Sequence, residues 1–428
     1  MPPNSFSAPD RQRDIYVTGV SGRRPAIPTD WQALQQAAQS HLSAAAWAYI
    51  SGGAGYGSTV RRNEQGFEQW RIVPRMLRDV SVRDTRIKLW GKQYDSPFML
   101  CPIGVLEMAH PQADLAVARA AAEWCVPYIF SSQASVPMEV CAAEMGKAPR
   151  WFQLYWGKSD ELALSFVRRA EQCNCDAIVV TLDTTLLGWR TADLDLAYLP
   201  FLEGKGIAQY TSDPVFRQLL QANTQQPDLG TAPPRRITWR SIATLLSLAK
   251  RYPNGSFWTN LRSGEALRAV RLFTQIYSRP SLTWDNLSLL RQHTRLPIVL
   301  KGIMHPNDAQ KALDYGIDGI ILSNHGGRQI DGAVSTIEML PALVQATKGQ
   351  LPIILDSGIR GGADTFKALA LGATAVGIGR PYTYALAIAG QTGVAELIAN
   401  YRADFELTMG LAGCAQIDDI GQDALQKI

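Results

Sequence analysis

The sequence predicts an α/β protein built on a (β/α)8 barrel, and three observations carry that expectation. From about residue 96 onward, short β-branched or apolar runs alternate with amphipathic stretches, the pattern of repeated strand–helix–strand units. Eight such runs occur in order, and polar residues gather at their C-terminal ends. Setting aside residues 1–95 and an interruption at 184–283 leaves 233 of the 428 residues, close to the roughly 250 of such a barrel. A doubly wound sheet would not need eight units in unbroken order, and no G-x-G-x-x-G follows the first run.

The runs are PFMLCPI (97–103), VPYIFSS (126–132), RWFQLY (150–155), DAIVVTLD (176–183), LPIVLKGI (296–303), GIILSNH (319–325), LPIILDSG (351–358) and AVGIGR (375–380). Helical stretches are expected at 112–124, from Met138, and at 160–172, 283–293, 307–315, 336–347, 363–371 and 382–400. Ahead of the barrel, residues 1–95 form an N-terminal segment with helical patterning around 30–49 and a glycine turn, SGGAGYG (51–57), read as a plain turn. The barrel is expected over 96–428 with 184–283 as a long insertion after its fourth strand. Within it, QQPDLGTAPPRR (225–236) and RYPNG (251–255) read as turns or loop, and the whole insertion as a lid or an oligomer contact.

Composition narrows the function classes. Forty-two basic against thirty-eight acidic residues leave a net charge of +4, with no Lys/Arg block of five, so a nucleic-acid footprint is not indicated. No run approaches 18 apolar residues, which leaves no membrane span to expect. Six sparse cysteines, of which Cys173 and Cys175 lack a partner pair with zinc-site spacing, point to free thiols and no metal. Together with an N-terminus lacking an apolar signal core, these features predict a cytoplasmic protein.

A barrel keeps its active site at the C-terminal ends of its strands. There the sequence places Gln153 and Tyr155, Thr181 and Asp183 with Arg190 beyond, Lys301, then Ser323, Asn324 and His325 with Arg328 beyond. The last two ends, DSGIRGG (356–362) and GIGR (377–380), are glycine-rich turns with arginines after strands seven and eight, the usual phosphate site of such barrels. Asp183 can orient His325 and stabilise its imidazolium as in a general base, the alternative being a salt bridge or cap. Arg190 and Arg328 can grip a carboxylate, the alternative being surface solvation. Lys301, if inward, needs an anionic partner.

Together these residues resemble the FMN-dependent α-hydroxy-acid oxidase and dehydrogenase family. SNHGGRQ (323–329) is the most specific motif, joined in the family's order by WFQLY, TLD with a downstream GWR, LKG, DSGIR and GIGRP, over about residues 29–415. Within the family the likeness is nearest to the lactate 2-monooxygenase branch, through WAYISGGAG (47–55), PRMLRDV (74–80), LDTTLLGWR (182–190) and FLEGKGIAQYTSDPVF (201–216). The resemblance implies FMN as cofactor and oxidation of an L-2-hydroxy acid, lactate-like, to the 2-keto acid, with oxidative decarboxylation in the monooxygenase manner or simple oxidase or dehydrogenase behaviour instead. It also implies O2 as a partner and a homo-oligomer of four or more subunits.

The family's roles then fall on His325 as base, Asp183 as its partner, Arg190, Arg328 and Tyr49 on the substrate carboxylate, Tyr155 near the reacting carbon, and Lys301 beside the flavin. Pro102, Ile103 and Gly104, with Ser131, Gln153, Thr181 and Ser323, would hold the ring. Asp356, Ser357, Gly358, Ile359, Arg360, Gly379 and Arg380 would hold the phosphate. Gln133 departs from the family's Trp or Tyr near the substrate side chain, and Tyr56 and Gly57 replace an acidic pair. A different chemistry is a barrel lyase using Lys301 as a Schiff-base nucleophile.

Overall fold

The computed structural model describes residues 7–222, 238–253 and 255–428. Helices α1 (Ala8–Val20), α2 (Trp31–His41), α3 (Ala44–Ser51) and α4 (Ser58–Glu68) lead the chain, followed by β1 (Trp70–Ile72) and the antiparallel hairpin β2 (Ile87–Leu89) and β3 (Lys92–Tyr94). Ser7, Asp30 and Ser43 start the first three helices by accepting from backbone N–H groups that have no intrahelical partner. Helix α4 has no such residue of its own, since its N-cap is Gly57. Asp331 caps it from afar, accepting from the N–H groups of Tyr56, Ser58 and Thr59 and from Ser58 Oγ.

The barrel then runs β4 (Phe98–Leu100), α5 (Ala113–Glu123), β5 (Tyr128–Ser131), α6 (Met138–Met145), β6 (Arg150–Leu154), α7 (Asp160–Gln172) and β7 (Ile178–Thr181). The insertion holds α8 (Thr191–Asp195), α9 (Ala208–Thr211), α10 (Pro214–Ala222), α11 (Trp239–Arg251), α12 (Phe257–Ser263) and α13 (Glu265–Ile276). The barrel resumes with α14 (Asn286–His293), β8 (Ile298–Lys301), α15 (Pro306–Asp314), β9 (Gly319–Leu322), α16 (Thr336–Thr347), β10 (Ile353–Leu355), α17 (Gly362–Ala370), β11 (Ala375–Ile378) and α18 (Arg380–Leu411). Strands β4 to β11 close into a parallel barrel, with β11 pairing β4 and β10 pairing β9. A last strand, β12 (Leu425–Lys427), pairs antiparallel with β1 and ties the two ends of the chain together.

The eight expected strands are all present, trimmed to three to five residues, and the expected helix positions hold. The final helix is longer than its pattern suggested because it absorbs a kink at Ala389–Gly390. Gly390 takes a φ of 57°, and a Cβ there would stand 3.0 Å from the His110 ring. The insertion differs most from expectation. Its described part is mainly helical and anchored, where turns and loop were anticipated; residues 225–236 lie outside the described residues. Its amphipathic helices bury Phe216, Phe273 and Tyr210 against α7, and Asp213 pairs with Arg169 of α7 at 3.1 Å. Proline and polar residues mark the bends between these helices and hide their periodicity.

One end of the barrel is sealed. Met99, Ile129, Trp151, Val179, Val299, Ile321, Ile354 and Ala375 project from the eight strands into one buried layer, and Ile87, Leu89 and Tyr94 of the hairpin join it. Side chains alternate across a strand, so the residues two positions further on face the same axis at the open end.

Removing the long-range cap should loosen the contact between the N-terminal segment and the loop after β9. We expect Asp331→Ala to destabilise the protein by about 1–2 kcal/mol, read as a lowered midpoint of thermal unfolding, with Asp331→Asn retaining most of the cap.

Candidate active site

The residues two positions beyond the sealed layer are Cys101, Ser131, Gln153, Thr181, Lys301, Ser323, Asp356 and Gly377. Of these, Cys101, Lys301, Asp356 and Gly377 line, together with the turns beyond them, one cavity at the C-terminal end of the barrel, about 1210 Å³ counting its open mouth. Ser131, Gln153, Thr181 and Ser323 stand at the ends of the neighbouring strands at the same level.

His325 follows β9 in a left-handed backbone conformation, φ 57°, which a non-glycine residue holds only where its surroundings impose it. The constraints are visible: its N–H donates to Ser323 Oγ at 3.1 Å, and the next N–H, of Gly326, donates to Ser357 Oγ at 2.9 Å. Its Nδ1 lies 2.8 Å from Asp183 Oδ1. An ionised carboxylate only accepts, so Nδ1 carries the proton and Nε2 is left with its lone pair. Burial, helped by the positive Lys301 and Arg190, lowers the His325 pKa below its ordinary value despite Asp183. Burial works against the Asp183 charge too, but His325 and Lys301 outweigh it and hold that carboxyl below its usual range. A neutral imidazole on an ionised carboxylate can accept a proton at Nε2.

Lys301 Nζ donates to Ser323 Oγ at 2.7 Å and lies 3.2 Å from Asp356 Oδ2. Burial penalises this ammonium, yet Asp356 and Asp183 together raise its pKa above the ordinary lysine value. Asp356 therefore faces the lysine, and Ser357, grouped with it in the turn, bonds the Asp356 carboxylate at 2.7 Å. Tyr155 lines the cavity as a neutral phenol, its pKa raised by burial and by the Asp183 charge.

Two guanidinium groups form the opposite wall. Arg190 donates to the Arg328 carbonyl at 3.2 Å and to Gln329 Oε1 at 3.0 Å, while Arg328 donates to the carbonyls of Tyr49 and Gly52 and sits 5.0 Å over the Tyr49 ring. Burial and the neighbouring Arg190 push Arg328 down to about 9. A guanidinium keeps its proton at neutral pH, so the shift reports uncompensated positive potential, and a carboxylate placed here relieves it.

At the far end of the cavity, Gly358 has a φ of 125°, and a Cβ on it would come within 2.3 Å of the Asn63 carbonyl. Only glycine fits, because α4 packs directly against this turn. Arg360 pairs with Glu64 at 3.0 Å and stacks 4.1 Å over Trp31. Arg380 donates to the carbonyls of Ile50, Gly52 and Gly326, all within 3.1 Å. None of these three carbonyl contacts cancels the charge of Arg380, and burial lowers its pKa.

Between these ends, buried polar atoms await a partner. Gln153 Oε1 accepts from Ser131 Oγ and Ser132 N–H, which fixes the amide and leaves Nε2 without a hydrogen bond among the described residues. Thr181 Oγ1 and Asp183 Oδ2 are also unpartnered. Buried polar groups rarely stay unpaired, so the site is built for a ligand with acceptors and donors along one edge. Pro102, Ile103 and Gly104 line the same cavity beside them.

The structure thus brings all the sequence-derived candidates into or around one cavity. Sequence reasoning missed Gln329, which donates to the carbonyls of Asp183 and Leu186 and so ties Arg190 to the end of β7. It also missed the Asn63–Asn324 pair, 2.8 Å, and the glycine turn's role as acceptor for Arg328 and Arg380. The adjacency of Gln329 to Arg328 was the only signal available for the first.

The chain is similar to known proteins over nearly its whole length. Residues 38–427 match the model of the family described as FMN-dependent dehydrogenase. The chain is 38% identical over 414 residues to an L-lactate oxidase of Lysinibacillus sphaericus, covering 97% of this chain and 96% of that protein. It is 38% identical over 429 residues to the FMN-dependent alpha-hydroxy acid dehydrogenase qulF of Penicillium citrinum, covering 100% and 98%. Among solved structures, mandelate oxidase with (S)-4-hydroxymandelic acid superposes with a TM-score of 0.75 at 35% identity, covering 93% of this chain and 98% of that one.

The arginine wall can be tested without turnover. Hydrogen bonds to charged groups contribute about 1.5–3 kcal/mol each, so Arg190→Met should weaken binding of oxalate, a non-reacting carboxylate probe, by roughly 10- to 150-fold in calorimetric titration.

Proposed function

The chain belongs to the FMN-dependent dehydrogenase family, and on that premise we propose that it oxidises an L-2-hydroxy acid to the 2-keto acid with FMN bound in the barrel cavity. The observation that carries the reading is the neutral His325, held 2.8 Å from Asp183, in one cavity with Arg190 and Arg328. A base opposite a carboxylate clamp is what a 2-hydroxy acid requires, because its acidic group and its reacting carbinol are adjacent.

The fit to FMN rests on the unpartnered atoms. Gln153 Nε2 and Thr181 Oγ1, with Ser131 and Lys301, suit the polar edge of a flavin ring, and Pro102, Ile103 and Gly104 suit its face. The glycine turn at Gly358 and Ile359, with Gly379, Arg360 and Arg380, lines the cavity and suits a phosphate. Bound FMN supplies the two-electron acceptor. Arg190 and Arg328, with Tyr49 beside them, bind and orient the substrate carboxylate. His325 Nε2 takes a proton from the carbinol, and Asp183 holds the Nδ1 proton and stabilises the imidazolium that results. Tyr155 donates its phenolic proton as a hydrogen bond to substrate oxygen. Lys301 stabilises negative charge arriving at its edge of the cavity.

Oxygen is the electron acceptor we favour after the acid is oxidised, with oxidative decarboxylation as the outcome. Phe201 and Tyr277, both of the insertion, line the cavity. A keto acid retained behind them meets hydrogen peroxide and yields carbon dioxide, water and the acid one carbon shorter. A Schiff-base lyase is disfavoured, because Lys301 is held as an ammonium against Asp356 and an ammonium cannot attack a carbonyl.

Purified protein should be yellow. Supplied with 2-hydroxy acids in air, it should release carbon dioxide and the shortened acid; release of keto acid with peroxide would mean oxidase behaviour instead. His325→Gln should retain the flavin absorbance yet slow its anaerobic reduction by about 10²–10⁴-fold, the usual worth of a positioned base. The base works unprotonated, so kcat/KM should fall on the acid side with an apparent pKa below the ordinary histidine value of about 6.5. Asp183 is the group raising that pKa, so in Asp183→Asn the acid limb should move to lower pH while the plateau rate drops.

A further inference from the structure

We propose that the preferred substrates carry a bulky apolar side chain, branched aliphatic or aromatic, and that Gln133 and Phe201 set this preference. The proposal rests on the 2-hydroxy-acid reading above and goes beyond it, since the relatives include proteins named for lactate and for 4-hydroxymandelate, whose side chains differ widely.

The argument is one of elimination at a tetrahedral carbon. C2 of the substrate bears a carboxylate, a hydroxyl, a hydrogen and the side chain. The carboxylate belongs at Arg190 and Arg328, the hydroxyl at His325, and the hydrogen points at the acceptor between Gly104 and Lys301. The fourth direction meets the unassigned lining from the turn after β5 and from the insertion, namely Gln133, Thr184, Leu186, Leu187, Phe201 and Tyr277. Four of these six are apolar or aromatic.

This wall is firm. Phe201 is 4% exposed and packs on Phe273 at 5.2 Å and Tyr277 at 6.5 Å, with Phe273 and Tyr277 themselves stacked at 5.2 Å. It is also fixed relative to the reacting centre. A Cβ on Gly206 would stand 2.5 Å from Val105, 2.9 Å from the Gln133 carbonyl and 3.3 Å from Phe201, so the insertion sits directly on the turns that follow β4 and β5. Gln133 in turn backs onto Gly104, where a Cβ would meet its own Cβ at 3.0 Å. Leu186 and Leu187 of the same lining are exposed, so a longer apolar chain finds more apolar surface to cover than a methyl group does. Each methylene removed from water contributes about 0.8 kcal/mol, or roughly a fourfold gain per methylene that reaches the wall.

The test uses flavin-loaded protein and anaerobic flavin bleaching by glycolate, L-lactate, L-2-hydroxyisocaproate and L-mandelate. We expect kcat/KM for the two bulky acids to exceed that for lactate by at least tenfold. Gln133→Phe, which fills the space, should cut that ratio by tenfold or more, and Phe201→Ala, which removes the wall, should cut it as well. Lactate or glycolate as the best substrate, or an unchanged ratio in both variants, would overturn the proposal while leaving the 2-hydroxy-acid reading intact. If none of the four acids bleaches the flavin and none perturbs its spectrum, the underlying reading fails with it.

Discussion

Closure of the barrel is the constraint on which the rest of the structure depends. Eight parallel strands in fixed register leave each strand one inward residue in the sealed layer and one inward residue above it. Below, the inward residues run from Met99 to Ala375 and are apolar, capped by Trp90, whose ring is tilted 45° against Trp151 at 5.3 Å. Above, the same parity delivers Ser131, Gln153, Thr181, Lys301, Ser323 and Asp356. A shift of one residue in any strand would turn its polar end outward and bring a residue of the outer face to the axis. The chemistry is therefore assembled by the same alternation that packs the core, and the cross-strand pairs Ser131 with Gln153 and Thr181 with Lys301 follow from register.

A second consequence is electrostatic. The cavity collects Lys301, Arg190, Arg328, Arg360 and Arg380, against Asp183, Asp356 and the more exposed Glu64. Among the described residues, only Lys301 and Arg360 of these five have a carboxylate within ion-pair distance. The other three arginines donate to carbonyl groups, which orient them but leave their charge. On the proposed reading, a phosphate at one end and a carboxylate at the other would complete this arrangement. The small net charge of the whole chain conceals it, because the excess is local.

How much of this was legible beforehand depended on period and on position. The strands were legible because each apolar run is short and bounded by glycine, proline or polar residues, and the site was legible because barrel topology says which end of each run to read. Asp183 and His325, 142 residues apart, could be joined only by that topology. The insertion was not legible as helix. Its helices are amphipathic but short, and they are separated by proline, glycine and serine, which carry a loop signal in a linear reading. The cap of α4 by Asp331 and the tie made by Gln329 were out of reach for another reason. Both are side-chain contacts across hundreds of residues or between loops, and neither has a periodic signature.

The N-terminal segment and the insertion are best understood as parts of the site. Ile50 and Gly52 supply carbonyls to Arg380, and Tyr49 and Gly52 supply them to Arg328. Trp31 and Glu64 hold Arg360. All these partners precede the first barrel strand, so the barrel alone would carry its arginines into the cavity without the groups that aim them. The insertion supplies Arg190 and Phe201 to the lining of the cavity. A (β/α)8 barrel offers a rigid ring of strand ends, but its own turns are too short to enclose a cofactor and a second molecule. Here the additional chain length does the enclosing, and it does so from both sides of the mouth.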